Sequence, residues 1–179
     1  MVYEPREDSY LMELQVRRLA RGDVLDMGTG SGIQGRAALS QNRVSSVLFS
    51  DIDQEAIDRL KEAVHDTRAS FAVSDLFERI QKTFDTIVFN PPYLPDDPRV
   101  KETSLDGGPN GYEVAVRFIG QAKAHLRKDG MILLLISSLT GKRRVELALQ
   151  ENGFIFSIIA EKHIDFETLY VYEVGVHHD

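Results

Sequence analysis

Apolar residues in this chain fall in short runs that alternate with helical stripes. Leu11, Leu14 and Leu19 have helical spacing and predict a first helix over residues 11–19. Residues 24–27 predict a strand that enters a glycine turn, and residues 33–39 a helix. A second strand, 47–50, ends at Asp51. It is followed by a helix over 54–65 with Ala56, Ile57, Leu60 and Val64 on one stripe. A short strand over 70–73 ends near Asp75, and an apolar strand over 86–89 stops at Asn90-Pro91-Pro92-Tyr93. Residues 94–111, rich in Pro, Asp and Gly, predict a long loop, and loops of that length inside a domain are usually functional or disordered. A helix over 112–126, a wholly apolar strand over 131–136 and a helix over 140–150 follow. The last two strands, 154–160 and 168–176, have period-2 character and no good helix between them, so an antiparallel edge pair is expected. The pattern predicts an α/β fold: a doubly wound, mostly parallel, seven-stranded Rossmann-like sheet in a single domain spanning 1–179.

The Asn-Pro-Pro turn is the most specific local signal. Pro91 forces Asn90 out of the helical region, and the two prolines hold the Asn side chain and nearby carbonyls in one geometry. In open α/β sheets, ligands sit at the carboxyl ends of the strands. An Asn carboxamide oxygen and a prolyl carbonyl can accept both N–H bonds of a planar NH2 group, and Tyr93 can stack on the flat group that carries it.

The other ligand signal is Asp26-Met27-Gly28-Thr29-Gly30-Ser31-Gly32. Its glycines permit a tight turn and close backbone approach. Gly30, Gly32 and Gly35 also spell G-x-G-x-x-G, so a dinucleotide site competes. The acids bear on the choice. Asp26 precedes the glycines, where a phosphate would be repelled but a cationic amino group would be welcome. Asp51 can accept from ribose hydroxyls, and Asp75 from an adenine amine. Singly, each acid reads as a cap or turn residue. Jointly they fit a positively charged nucleoside without phosphate, which is the character of S-adenosylmethionine.

These motifs together resemble a class I S-adenosylmethionine-dependent methyltransferase. The Asn90-Pro91-Pro92-Tyr93 turn resembles that of enzymes that methylate planar amino groups, including HemK/PrmC glutamine methyltransferases and adenine-amine methyltransferases of DNA. The opening Tyr3-Glu4-Pro5-Arg6-Glu7-Asp8-Ser9 is similar to the archaeal and eukaryotic HemK-like branch that acts on the class I peptide release factor.

The resemblance implies roles for individual residues. Asp26 lies near the methionine amino group. Gly28, Gly30 and Gly32 approach the cofactor with backbone, Asp51 holds the ribose, Ile52 flanks the adenine, and Asp75 with Leu76 reads its edge. Ser9, where many relatives carry Thr, touches the methionine end, and Asn90 borders cofactor and substrate alike. Asn90 and the Pro91 carbonyl hold the substrate NH2, with Pro92 and Tyr93 completing the catalytic turn. The segment 1–21 lies on the cofactor and substrate side, with Tyr3 and Arg6 toward the substrate. Gly107 and Gly108 resemble a glycine-rich loop over the substrate channel, although Pro109 stands where a polar residue is expected. Bacterial release-factor methyltransferases that resemble this core carry an extra N-terminal helical domain. Here the motif begins at Tyr3, so substrate docking is expected from the core, the long loop or a partner.

Composition narrows the rest. The chain has 179 residues and no Cys, which removes disulfides and thiolate metal sites, and no metal ligand set is expected. No run is long enough for a membrane span and no signal-peptide core opens the chain, so a cytoplasmic location is expected. A net charge of -7 argues against direct nucleic-acid binding, and the basic groups at Arg17-Arg18-Arg21 and Lys142-Arg143-Arg144 read as solvated helix faces. The fold predicts that residues 70–74 lie at an open sheet edge with no charge to guard it. Strand addition by another chain is expected there, and the resemblance implies a small zinc-binding activator subunit. Rival readings are methylation of an amino group in DNA, RNA or a small molecule, methylation of protein lysine, a cofactor-binding scaffold without catalysis, and a nicotinamide oxidoreductase.

Overall fold

A computed structural model describes residues 6–92, 108–139 and 141–176. The elements run α1 (Glu7–Leu19), β1 (Gly22–Met27), α2 (Ile33–Leu39), β2 (Val44–Asp51), α3 (Gln54–Ala63), β3 (Ala69–Val73) and β4 (Phe84–Phe89). Further along the chain come α4 (Glu113–Ala122), a 3-10 turn (Lys123–His125), β5 (Leu126–Ser137), α5 (Lys142–Glu151), β6 (Phe154–Ile164) and β7 (Glu167–Val176). The seven strands form one sheet in the order β3-β2-β1-β4-β5-β7-β6. Every pair from β3 to β5 is parallel. β7 is antiparallel to both β5 and β6, which is the expected edge pair.

Strand residues alternate between two cores, as a pleated strand buried on both faces requires. Leu25, Met27, Ile87, Phe89, Ile132 and Leu134 face α4 and α5. Val24, Val47, Phe49, Val88, Leu133 and Leu135 face the other way, toward α1 and α2. Strand order reverses between β1 and β4, which lie side by side with Met27 opposite Phe89. The glycine turn after β1 and the Asn-Pro-Pro turn after β4 therefore leave the sheet at the same level, at its topological switch point.

Most strand and helix bounds shift by a few residues from the sequence reading, and three differences change the picture. The first helix starts earlier, at Glu7, and buries Asp8, Ser9, Met12, Gln15 and Val16 rather than a leucine stripe. Leu14 is 63% exposed. Polar side chains share the inner face because its first turn borders the site, so leucine spacing alone misplaced the stripe. The helix expected over 112–126 tightens at Lys123 into the 3-10 turn, and Leu126 already pairs with Phe84 in the sheet. β5 then turns through Asp129 at φ 63° before its apolar stretch.

Candidate functional site

The glycine turn is shaped by three left-handed residues, Gly28 (φ 60°), Gly30 (φ 51°) and Gly32 (φ 77°), a conformation that L side chains avoid. Thr29 N–H donates to the Ser50 carbonyl at 3.0 Å and Gly32 N–H to the Thr29 carbonyl at 2.8 Å, which folds the turn across the ends of β1 and β2. A Cβ added at Gly30 would meet nothing closer than 4.0 Å. That face is open to close approach by a ligand. Gly35 is different: a Cβ there would lie 2.2 Å from Phe49 Cε1, so the third glycine of the motif serves helix–sheet packing.

The three acids take three distinct environments. Asp26 is 2% exposed, and its Oδ2 accepts from Thr29 Oγ1 at 2.5 Å and from Gly35 N–H at 2.8 Å. Burial pushes its carboxyl up to about 7 against the pull of those two donors, and the nearby Asp51 charge adds to the rise. Asp51 closes β2. Its Oδ2 accepts from Gly30 N–H at 2.8 Å and its Oδ1 from Asp53 N–H at 2.9 Å, and burial raises its pKa in spite of these bonds. Asp75, just past β3, forms a bidentate pair with Arg117 of α4 at 2.5 and 3.0 Å. Reading an adenine amine would use the lone pairs this pair leaves over. Leu76 is buried at φ 46°, and its carbonyl accepts from Ser74 Oγ at 2.9 Å, so the turn that carries Asp75 is clamped. Ile52, by contrast, is 59% exposed beside the site, an apolar surface that a flat ring would cover.

Asn90 follows β4 directly. Its Nδ2 donates to Asp8 Oδ2 at 2.8 Å, while its Oδ1 is buried without a hydrogen-bond partner among the described residues. A buried acceptor left unpaired is costly, and it marks the position of a missing donor. Pro91 is buried and Pro92 half-buried. The first turn of α1 closes the gap between the two turns. Ser9 is 3% exposed, and its carbonyl accepts from Gln34 Nε2 of α2 at 2.9 Å. The structure thus brings Ser9, Asp26, Gly28, Gly30, Gly32, Asp51, Ile52 and Asn90 to one end of the sheet. Arg6 caps α1 on its exposed side, and Gly108 (φ 98°) opens the approach to α4. Tyr3, Tyr93, Gly107 and residues 94–107 lie outside the described residues.

The residues present fit S-adenosylmethionine: a glycine face open to backbone contact, acids at two neighbouring strand ends, and exposed Ile52. Sequence reasoning passed over Thr29, Gln34, Arg117 and the role of Asp8. Only Asp8 left a signal, as an acid next to Ser9 in the first turn of a helix.

The methyltransferase small domain matches residues 8–162 of this chain. A protein of Methanocaldococcus jannaschii, provisionally named protein N5-glutamine methyltransferase, is 37% identical over 177 residues, covering 95% of this chain and 89% of that protein. The release factor glutamine methyltransferase of Rhodopirellula baltica is 32% identical over 147 residues, covering 73% of this chain. That match spans only 50% of the Rhodopirellula protein. Among solved structures, the Mtq2–Trm112 complex of E. cuniculi, described as responsible for methylation of the eRF1 translation termination factor, matches with a TM-score of 0.78. Identity is 30%, and the match covers 98% of this chain and 99% of that one.

Proposed function

This chain belongs to the methyltransferase small domain family, in its archaeal and eukaryotic HemK-like branch of S-adenosylmethionine-dependent enzymes, and from there we propose that it methylates a glutamine side-chain amide in a protein. The favoured substrate is the Gly-Gly-Gln loop of a class I peptide release factor. The observation that carries this reading is the buried Oδ1 of Asn90 at the switch point, which has no hydrogen-bond partner among the described residues. An acceptor in that place selects a donor, and a primary amide offers two.

Bound S-adenosylmethionine would supply an electrophilic methyl group on sulfur. Gly28, Gly30, Gly32, Asp51 and Ile52 would hold its nucleoside, with Asp26 behind the turn and Ser9 at the methionine end. The substrate nitrogen is a poor nucleophile because its lone pair is delocalised into the carbonyl. Accepting one N–H on Asn90 Oδ1 and the other on the Pro91 carbonyl would turn that lone pair toward the methyl. The same two dipoles would favour the positive, tetrahedral nitrogen as it forms. No general base is needed before transfer, and the surplus proton can leave to water afterwards.

The reading includes a partner. β3 ends the sheet with β2 as its neighbour, Ser70 is exposed, and Phe71, Ala72 and Val73 are half-buried. No residue of the strand is charged. A small zinc-binding activator subunit would add a strand there. The Mtq2–Trm112 assembly supports a two-chain arrangement for this fold.

The test is transfer of labelled methyl groups from S-adenosylmethionine to release factor, with and without a co-expressed activator. The control is the same factor with the loop glutamine replaced. Label on the unaltered factor alone supports the reading. Equal label on both moves the target to another side chain, and label on RNA instead would favour an exocyclic amine.

A further inference from the structure

We propose that Asp8 is a positioning residue, whose carboxylate holds the Asn90 amide in the one orientation that turns Oδ1 toward the substrate NH2. The inference rests on the glutamine-methylation reading above and adds a determinant of donor selectivity to it.

An Asn side chain has nearly the same shape in either of two orientations about its last torsion. One presents an acceptor to the site and the other a donor. Sterics therefore do not choose between them, and the two prolines restrict backbone dihedrals rather than the amide torsion. Asp8 does choose. A carboxylate only accepts, so the atom of Asn90 that faces it at 2.8 Å must be the NH2 group. The flipped amide would set oxygen against oxygen in a buried place.

The placement of Asp8 supports this role. It is 3% exposed and stands 82 residues from Asn90 in sequence. The turn that carries it is tied to the glycine-loop helix through Ser9 and the buried Gln34. The first turn of α1 is thus fixed against both the cofactor turn and the substrate turn, and the orientation of Asn90 is set by a rigid element.

Asp8→Asn keeps the shape but removes the preference, because Asn can donate or accept. Turnover should fall ~10- to 10²-fold, the ratio that a hydrogen bond to a charged group represents. Affinity for S-adenosylhomocysteine should stay within about threefold, since the cofactor residues are untouched. In the Asn90→Ala background Asp8→Asn should have no further effect. The side-chain NH2 resonances of Asn90, identified by their loss in Asn90→Ala, should shift in Asp8→Asn.

Full turnover in Asp8→Asn while Asn90→Ala is crippled would overturn the positioning role and leave the glutamine reading standing. Full turnover in Asn90→Ala would overturn both. An equal loss with and without Asn90 would show Asp8 acting by another route and would overturn the proposal. If Asp8→Asn does not fold, the exchange Asp8→Asn with Asn90→Asp carries the test. It restores one donor facing one carboxylate and leaves an oxygen for the substrate. Turnover above that of Asn90→Asp alone supports the proposal, and no gain overturns it.

Discussion

Asp51 holds Gly30. The carboxylate at the end of β2 accepts the Gly30 N–H at 2.8 Å across the mouth of the site, and this bond fixes the left-handed residue at the centre of the glycine turn. The acid proposed for the ribose would therefore also anchor the backbone proposed to meet the cofactor. Asp51→Ala should weaken S-adenosylhomocysteine binding by about tenfold or more, given that one hydrogen bond to a charged group contributes roughly 1.5–3 kcal/mol. Calorimetric titration measures it, and unchanged affinity would remove Asp51 from the site.

Asn90→Ala separates catalysis from cofactor binding. Losing one preorganised acceptor should lower kcat on the order of 10²-fold, while cofactor affinity changes by less than about threefold. Turnover within about threefold of the parent would mean that the amide socket is elsewhere.

Asp26 gives the protein a pH dependence of definite sign. Its carboxyl is held at about 7 in the fold, above the 3.8 of the free side chain. Between those values the native state binds a proton that the unfolded chain does not, so this group's contribution to stability falls as pH rises from about 4 to about 7 and is level above. Both donors to Asp26 use the same oxygen, Oδ2, so an Asn can keep both bonds. The Tm of ligand-free Asp26→Asn, relative to that of the parent, should be higher at pH 8 than at pH 5. A cationic cofactor favours the ionised form, so affinity in the parent should rise as pH climbs toward 7, by at most about tenfold per pH unit. Flat titrations across that window would contradict both statements.

Gly35→Ala tests the packing assignment. The new Cβ would stand 2.2 Å from the ring of Phe49, which is fully buried and stacks on Phe71 at 5.4 Å. Overpacking of this kind costs about 1–3 kcal/mol, read as a lower Tm. A Tm equal to that of the parent would show that α2 can shift away from the sheet.

The β3 edge should respond to a partner. Amide hydrogen exchange over Ala69–Val73 should slow when a small activator chain is added, because strand addition pairs N–H groups that water otherwise reaches. Slowing confined to another surface would place the interface there.

Much of the fold was legible because the central strands are apolar on both faces and the turns carry Gly or Pro. The run ending at Phe89 and the bounds of α2 follow from such punctuation. The edge pair was readable because no helix pattern separates β6 from β7. What sequence could not give was pairing across distance. Asp8 meets Asn90, Gln34 meets Ser9, and Arg117 meets Asp75, over separations of 82, 25 and 42 residues. None of these has a local periodicity to betray it. α1 misled for the same reason: its polar inner face has meaning only once the two turns are beside it.

The most direct measurement is fragmentation mass spectrometry of release factor after reaction with this protein and S-adenosylmethionine, with the proposed activator chain present. A single added methyl on the side-chain nitrogen of the Gly-Gly-Gln glutamine, lost when Asn90 is replaced by Ala, is the expected result. A methyl found on a lysine, or on that glutamine regardless of Asn90, would contradict it.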